Sequence, residues 1–163
     1  MGSEMCIRDR NDIVVDKLKR IWVGSNYGLM QLDFTSLKLK AVENRTLQND
    51  HLLSSEIISL EADKFGSIWA GTEQNGILKI LPTTATNFML KHYPITEKRI
   101  FSVKEYKDGL ILCGSENDGL FVLSSDGDIL KHYLKEIGND FSIQSNSIWS
   151  IPVSYTHLRA HET

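Results

Sequence analysis

The sequence predicts an all-β fold built from repeated four-stranded antiparallel units. Three observations lead to this prediction. Short runs of Val, Ile, Leu and Phe alternate with polar residues, glycine-containing turns separate the runs, and one pattern recurs about every 45 residues. No stretch carries an apolar period of 3.6 residues over the length of a helix.

The composition is that of a globular chain and argues against several classes of protein. Apolar residues make up 41% and charged residues 24% of the 163 positions, which argues against wholesale disorder. Lys and Arg number 18 against 21 Asp and Glu, a net charge of -3, whereas a nucleic-acid-binding module usually carries a basic face. We find no run of about 18 apolar residues, so this stretch contains no transmembrane helix. Two cysteines, Cys6 and Cys113, do not make a disulfide scaffold.

Both ends of the chain are predicted to be foreign sequence encoded by a sequencing adapter. Residues 153–161 can be encoded by nine codons whose reverse complement begins with GTG and then encodes residues 2–9. A GTG codon at a start site is translated as Met, which is residue 1. An adapter on both sides of an insert would produce such an inverted repeat. We therefore expect 1–10 and 152–163 to be adapter-like, non-native segments. Residues 11–151 would then be a natural fragment of a longer protein.

A pattern in which a glycine lies two positions after a large apolar residue occurs three times, with tryptophan as that residue in the first two. Gly24 follows Trp22 by two positions, Gly71 follows Trp69 in the same way, and Gly114 occupies the corresponding position of a third segment. These glycines are 47 and 43 positions apart. An isoleucine lies 14 positions before each later glycine, and another opens a fourth unit; these residues are Ile57, Ile100 and Ile148.

Each unit is predicted to contain four short strands, which in the second unit are 57–62, 67–72, 76–81 and 87–93. A turn at 63–66 and an Asn-Gly hairpin separate the first three strands, and prolines end the last two. Four strands repeated every 40 to 50 residues are typical of the blades of a β-propeller.

The predicted fold is therefore a partial β-propeller of about three blades and the start of a fourth. We place the blades at about 11–52, 53–95 and 96–144, and the start of the next at 145–151. Because three blades cannot close a ring, we expect 11–151 by itself to be marginally stable or prone to aggregate.

The repeated residues are interpreted first as packing devices. Trp22 and Trp69 are predicted to fill the space between neighbouring blades, with sugar stacking by an exposed ring as the functional alternative. We expect Gly24, Gly71 and Gly114 to allow close packing that a side chain would prevent. Cys113 is predicted to be a small core residue rather than a nucleophile, since no base lies nearby in the sequence.

The second unit, with Gly66-Ser-Ile-Trp69-Ala-Gly71-Thr72 followed by Gly76-Ile-Leu, resembles the two-component regulator propeller repeat. The first unit matches the same pattern through Arg20-Ile-Trp22-Val-Gly24-Ser25, and the third departs from it because Leu112 replaces the tryptophan. This resemblance implies the extracytoplasmic ligand-sensing region of a hybrid two-component histidine kinase, in the periplasmic part of an inner-membrane protein. It further implies a ligand that is often an oligosaccharide, the remaining blades of the same chain as partners, and a parent that could be a homodimer.

Ligand-binding residues are predicted on one face of the blades. In an up-and-down blade, the hairpin between the second and third strands emerges on the same face as the connection to the next blade. Tyr27 lies in such a hairpin and could stack on a sugar ring, while Asn75, Arg99 and Asn117 could donate hydrogen bonds to it. Ordinary polar loops are the alternative interpretation of these residues.

The sequence offers no catalytic constellation, cofactor motif or metal site. His92 and His132 recur with the blade and are expected to be structural or solvent-facing, and His51 stands alone. The pair Asp126 and Asp128 is expected to form a hairpin turn rather than a calcium loop. We thus predict a non-catalytic fragment without contact to nucleic acid or membrane.

Three other functions remain open at this stage. The propeller could be a scaffold for protein–protein interaction, part of a lyase-like propeller enzyme with catalytic residues in other blades, or a sensor coupled to a different output domain. The domain that follows the propeller in the parent protein would distinguish these functions.

Overall fold

The computed structural model describes residues 10–43, 50–84 and 87–152, which form three four-stranded antiparallel sheets with strands in sequence order. The first sheet contains β1 (Arg10–Val15), β2 (Ile21–Ser25), β3 (Gly28–Asp33) and β4 (Lys38–Ala41). The second contains β5 (Ile57–Ala62), β6 (Ile68–Thr72), β7 (Ile77–Pro82) and β8 (Phe88–Tyr93). The third contains β9 (Ile100–Tyr106), β10 (Leu110–Ser115), β11 (Leu120–Leu123) and β12 (Ile129–Tyr133). Short 3₁₀ segments lie at Asp50–Ser54 and Lys107–Gly109.

These sheets confirm the predicted all-β fold of four-stranded units. Every strand of the second sheet begins and ends within one residue of its predicted position. In the parts of the chain that the structure describes, no helix is long and apolar enough to cross a membrane.

The three sheets stack side by side as blades of a partial β-propeller. We call them blade 1 (β1–β4), blade 2 (β5–β8) and blade 3 (β9–β12). The first strands β1, β5 and β9 are neighbours, so they form the inner edge of the arrangement. One apolar cluster lies between blades 1 and 2 and a second lies between blades 2 and 3. The core of this fold is therefore located at the two seams between blades.

A glycine faces an isoleucine of the next blade at each seam. A Cβ added to Gly24 would lie 2.6 Å from Cγ2 of Ile57, and a Cβ added to Gly71 would lie 2.7 Å from Cγ2 of Ile100. Neighbouring strands can approach this closely only because these positions lack a side chain.

The same contact recurs beyond blade 3. A Cβ added to Gly114 would lie 2.7 Å from Cγ2 of Ile148, and the Ile148 N–H donates to the Ser115 carbonyl at 2.9 Å. The structure assigns no strand to 145–151, but Ile148 contacts blade 3 as the first isoleucine of a further unit would.

A buried aspartate holds the turn between the first two strands of blade 2. Asp63 Oδ1 accepts hydrogen bonds from the backbone N–H groups of Phe65 at 3.0 Å and Ser67 at 2.8 Å. Its Oδ2 accepts from Nε1 of Trp69 at 2.8 Å. One carboxylate thus shapes the turn and satisfies the only polar atom of a fully buried indole.

Blade 1 repeats this arrangement with Asp16, which accepts from Nε1 of Trp22 at 2.9 Å and from Nε of Arg20 at 2.6 Å. Burial of the Asp16 carboxyl would by itself raise its pKa. The hydrogen bonds from Trp22 and Arg20 outweigh burial and hold the pKa below its usual value.

Blade 3 lacks both partners of this bond. Tyr106 stands where Asp63 stands in blade 2, and Leu112 stands in the place of Trp69. The turn is instead a 3₁₀ segment in which Asp108 adopts a left-handed conformation with φ of 61°.

The predicted adapter segments fall almost entirely outside the described residues. Residues 1–9 and 153–163 are not described, whereas Arg10 is the first residue of β1 and Pro152 is the last residue that the structure describes. The foreign origin of both ends stays a prediction.

We predict that Asp63→Ala lowers the free energy of unfolding by about 2–4 kcal/mol, because it leaves the Trp69 indole and two backbone N–H groups without their acceptor. Urea denaturation followed by circular dichroism measures this loss. Asp140→Ala, at an exposed position, is the control and should change stability by less than about 0.5 kcal/mol. Equal effects of the two substitutions would contradict the structural role of Asp63.

Candidate functional site

The hairpins between the second and third strands form one surface with the connections that enter each blade. We call this surface the hairpin face. In blade 2 the Glu73 N–H donates to the Glu56 carbonyl at 3.0 Å, and in blade 3 the Glu116 N–H donates to the Arg99 carbonyl at 2.9 Å. These bonds tie the hairpins of blades 2 and 3 to the connections that precede those blades, so both loops are held by backbone contacts.

A hydroxyl and a glycine complete each hairpin. Thr72 Oγ1 donates to the Gly76 carbonyl at 2.9 Å, and Ser25 and Ser115 make the same bond in blades 1 and 3. Gly76 has a φ of +69°, and a Cβ at this position would lie 2.4 Å from the Tyr93 carbonyl. Only glycine satisfies both the backbone angle and the close approach.

The four predicted ligand-binding residues all lie on the hairpin face. Tyr27 is 61% exposed. Asn75 is half-buried, and its side-chain amide donates to Ser55 Oγ at 2.8 Å. Asn117 is exposed with φ of 59°, and its Oδ1 accepts from Ser147 Oγ at 2.9 Å.

Arg99 forms a two-pronged ion pair with Glu73. Nε and Nη2 of Arg99 each donate to one carboxylate oxygen of Glu73. This hydrogen-bonded ion pair raises the pKa of Arg99 further above its usual value, despite the opposing effect of burial. Glu73 lies in the hairpin of blade 2 and Arg99 lies directly before β9, so the pair spans the seam between blades 2 and 3 on the hairpin face.

An aromatic pair beside this ion pair was missed in the sequence. The rings of Phe101 and Trp149 are stacked, with centroids 4.1 Å apart and an angle of 15° between the planes. Trp149 is 70% exposed, and the Arg99 guanidinium lies 6.0 Å from the centroid of the Phe101 ring. The pattern that could have revealed the pair is positional, since each ring directly follows a seam isoleucine.

Both recurring histidines bind hairpin carbonyls of their own blade. His92 Nε2 donates to the Asn75 carbonyl at 2.6 Å, and His132 Nε2 donates to the Asp118 carbonyl at 2.5 Å. Among the residues that the structure describes, no group of three or more His, Cys, Asp or Glu side chains could hold a metal ion. Through these hydrogen bonds, the two histidines connect the outer strand of each blade to its hairpin loop.

Carboxylates on the inner strands bind backbone N–H groups of the adjacent blade. Asp12 Oδ2 accepts from the Leu60 N–H at 2.9 Å, and Glu61 Oε2 accepts from the Glu105 N–H at 3.3 Å. Burial raises the pKa of Glu61, although Lys104 Nζ lies 3.8 Å away. These acids join neighbouring blades rather than face each other across a cleft.

The pair Asp126 and Asp128 lies in the hairpin between β11 and β12. Ser124 Oγ accepts from the Asp126 and Asp128 N–H groups at 3.2 Å and 3.1 Å, and the Ser124 N–H donates to the Asp128 carbonyl at 2.8 Å. Three bonds from one serine thus shape this hairpin.

Cys113 is fully buried in the seam between blades 2 and 3. Burial raises the pKa of its thiol far above the usual value. The structure thus places Cys113 in the core, out of contact with solvent, as the sequence predicts.

The solved structures most similar to this chain include two of the extracellular domain of BT4673 from B. thetaiotaomicron. One is described as a putative one-component system and the other as a putative hybrid two-component system. Each aligns with a TM-score of 0.74 at 22% sequence identity, covering 91% of this chain and 19% of that chain. Thus the present chain spans about a fifth of the length of these structures. This similarity is consistent with the resemblance to two-component regulator propeller repeats.

Two further structures share the fold at greater distance. PorZ, a surface component of the type-IX secretion system of Porphyromonas gingivalis, aligns with a TM-score of 0.65 at 16% identity, covering 88% of this chain and 23% of that chain. Virginiamycin B lyase from Staphylococcus aureus aligns with a TM-score of 0.55 at 18% identity, covering 77% of this chain and 41% of that chain. At these identities the similarities establish the fold alone. No protein-family model and no curated protein matches this sequence.

We predict that Cys113 does not react with a thiol reagent in the folded chain. The test uses the Cys6→Ser variant, in which Cys113 is the single cysteine of the sequence. Ellman's reagent should detect one thiol in 6 M guanidinium chloride and none within minutes in buffer, because burial keeps the thiol protonated and inaccessible. Rapid reaction under native conditions, with circular dichroism unchanged, would contradict this prediction.

Proposed function

We propose that this chain is part of the extracytoplasmic ligand-sensing propeller of a hybrid two-component histidine kinase and that its ligand is a carbohydrate. The observation that carries the proposal is the grouping on the hairpin face of the Arg99–Glu73 ion pair and the Phe101–Trp149 aromatic pair. The likeness to the extracellular domain of BT4673 supports the sensor function, and its description as extracellular supports an extracytoplasmic location.

The chemistry of this group suits a sugar. An exposed indole offers an apolar ring face against which the C–H face of a pyranose can stack. A guanidinium and a carboxylate held in fixed geometry provide donors and acceptors for neighbouring hydroxyls. Tyr27, Asn75 and Asn117 supply further polar groups on the same face.

In this proposal the blades themselves remain rigid and catalyse nothing. Backbone bonds fix the hairpins of blades 2 and 3 to the connections that precede them, so binding would not open these blades. In this proposal the parent protein is a homodimer anchored in the inner membrane. Ligand binding would change the position of the propeller relative to other parts of that protein, and a cytoplasmic kinase domain would respond to this change.

The lyase-like enzyme is the second candidate function, and the shared fold with virginiamycin B lyase is the observation that favours it. Catalysis would then require an acid or histidine cluster contributed by other blades. A propeller scaffold for partner proteins is a third function, compatible with the similarity to the surface component PorZ.

The test measures binding of neutral oligosaccharides to the 163-residue chain by isothermal titration calorimetry, starting with arabinan, galactan and xylan fragments. We expect Trp149→Ala and Arg99→Ala each to weaken binding at least tenfold, or about 1.4 kcal/mol, because they remove the stacking surface and the hydroxyl donors. Tyr27→Ala is expected to weaken binding as well.

Phe34→Ala is the matched control for the aromatic substitutions. Phe34 is 58% exposed and lies in the β3–β4 loop, at the opposite end of the blade from the hairpins. It should leave the affinity unchanged. If Trp149→Ala and Arg99→Ala bind as tightly as the unaltered chain, the hairpin face is not the ligand site.

A further inference from the structure

A cleft of about 260 Å³ opens at the seam between blades 1 and 2. We call it the seam cleft. Trp22 and Arg20 of blade 1 form one wall, and Pro82 and Phe88 of blade 2 form the other. Its rim lies near the β3–β4 and β7–β8 loops, at the end of the blades away from the hairpin face.

At the seam between blades 2 and 3 the equivalent space is filled by two side chains. Lys79, which pairs with Trp69 across the sheet, is buried; its Nζ lies 4.8 Å from the Trp69 ring centroid and donates to the Ser125 carbonyl at 2.5 Å. Tyr93 stacks on Trp69 with centroids 5.9 Å apart, and a Cβ at Gly127 would lie 2.3 Å from its ring.

Smaller residues take these two positions in blade 1. Gln31 pairs with Trp22 as Lys79 pairs with Trp69. Val42, whose N–H donates to the Leu29 carbonyl, occupies the position of Tyr93. The seam cleft is the volume that a lysine and a tyrosine fill one seam further along the chain.

Three of the four charged groups in the wall of the cleft already have partners, and the fourth is the Glu43 carboxylate. Arg20 is bound to Asp16 at 2.6 Å and lies 5.4 Å from the Trp22 ring centroid. Lys40 is bound to Asp33 at 2.6 Å, and this bond, with the hydrogen bonds from the Thr35 N–H and the Ser36 hydroxyl, lowers the pKa of Asp33 to about 2. An anionic ligand would therefore have to compete with Asp16 for Arg20 or with Asp33 for Lys40.

The unsatisfied groups around the cleft are neutral amides and one carboxylate. Among the described residues, the side chains of Gln31, Asn87 and Glu43 line the cleft and form no hydrogen bond or ion pair. Two amides and a carboxylate offer both donors and acceptors, as an array of hydroxyls requires. Pro82, Phe88 and Val42 supply an apolar wall.

We infer that the seam cleft binds a neutral polyhydroxylated ring of monosaccharide size. The apolar wall would contact the C–H face of the ring, and Gln31, Asn87 and Glu43 would bind its hydroxyls. The inference rests on the chemistry of this cleft and is independent of the hairpin face, which lies at the other end of the blades.

The indole N–H resonances of the three tryptophans can distinguish binding in the seam cleft from binding on the hairpin face in one experiment. A ¹⁵N-labelled 163-residue chain is titrated with methyl glycosides of glucose, galactose, mannose, xylose and arabinose, and the Nε1–H resonances of Trp22, Trp69 and Trp149 are followed. We expect at least one glycoside to shift the Trp22 resonance and leave that of Trp69 in place. A shift of Trp149 alone would support only the hairpin-face proposal and would overturn this one.

A variant whose side chains fill the seam cleft tests whether the glycoside binds there. Gln31→Lys combined with Val42→Tyr introduces the residues that fit the equivalent seam, and it should abolish the Trp22 response. Gln31→Leu removes the amide with little change in volume and should weaken the response at least tenfold, which keeps the test valid if the double variant does not fold. Phe141→Ala, at a fully exposed position outside the lining of the cleft, is the control and should leave the Trp22 response unchanged.

Three results would overturn the inference. They are the absence of a Trp22 shift with every neutral glycoside, an undiminished shift in both Gln31 variants, and stronger binding of glucuronate or glucosamine than of the neutral sugars. Binding of tyramine with no binding of any glycoside would assign the cleft to an aromatic side chain of a partner instead.

Discussion

The close approach of neighbouring blades at the seams is the constraint on which the rest of this structure depends. A four-stranded sheet has two faces, and here each cluster of buried apolar side chains lies between two sheets. The approach is possible because Gly24 and Gly71 leave room for Ile57 and Ile100, which a Cβ would displace. Once the inner strands lie this close, the acids Asp12 and Glu61 can reach backbone N–H groups of the next blade. Burial of the tryptophans, position of the hairpins and spacing of the loops all follow from this contact.

The seams share a backbone arrangement but differ in how their space is filled. In blades 1 and 2 an aspartate binds the indole N–H of a tryptophan, and in blade 3 both partners are replaced together, by Tyr106 and Leu112. Joint replacement is what energetics requires, because a buried indole without its acceptor, or a buried carboxylate without its donor, would carry an unsatisfied polar group. The repeat therefore tolerates substitutions when both members of an interacting pair change together. For the same reason, smaller side chains can leave a cleft at one seam while the fold is kept.

Much of the fold follows from the sequence because it depends on local patterns. The alternation in 57–62 and the Asn-Gly hairpin at Gly76 determine strands and turns within a few residues of chain, and the glycine repeat determines how units recur. The roles of Asp63 and Lys79 could not be derived in this way. Asp63 acts through three partners whose geometry depends on the folded turn, and Lys79 reaches a carbonyl 46 positions away in another blade. The Phe101–Trp149 pair was missed for the same reason, since stacking of residues 48 positions apart depends on the offset between neighbouring inner strands.

The hairpin face and the seam differ in what they allow a ligand to do. On the hairpin face, backbone bonds such as that from Glu73 to Glu56 hold the loops, so a ligand would meet a surface already arranged for it. Such preorganisation favours affinity. A rigid surface, however, can signal that a ligand is bound only through contacts with a part of the protein that changes position. A seam is different, because the relative position of two blades is determined by the side chains between them. The Arg99–Glu73 pair joins two blades on the hairpin face itself. A ligand that engages this pair, as proposed, would therefore contact both sides of the seam between blades 2 and 3 at once.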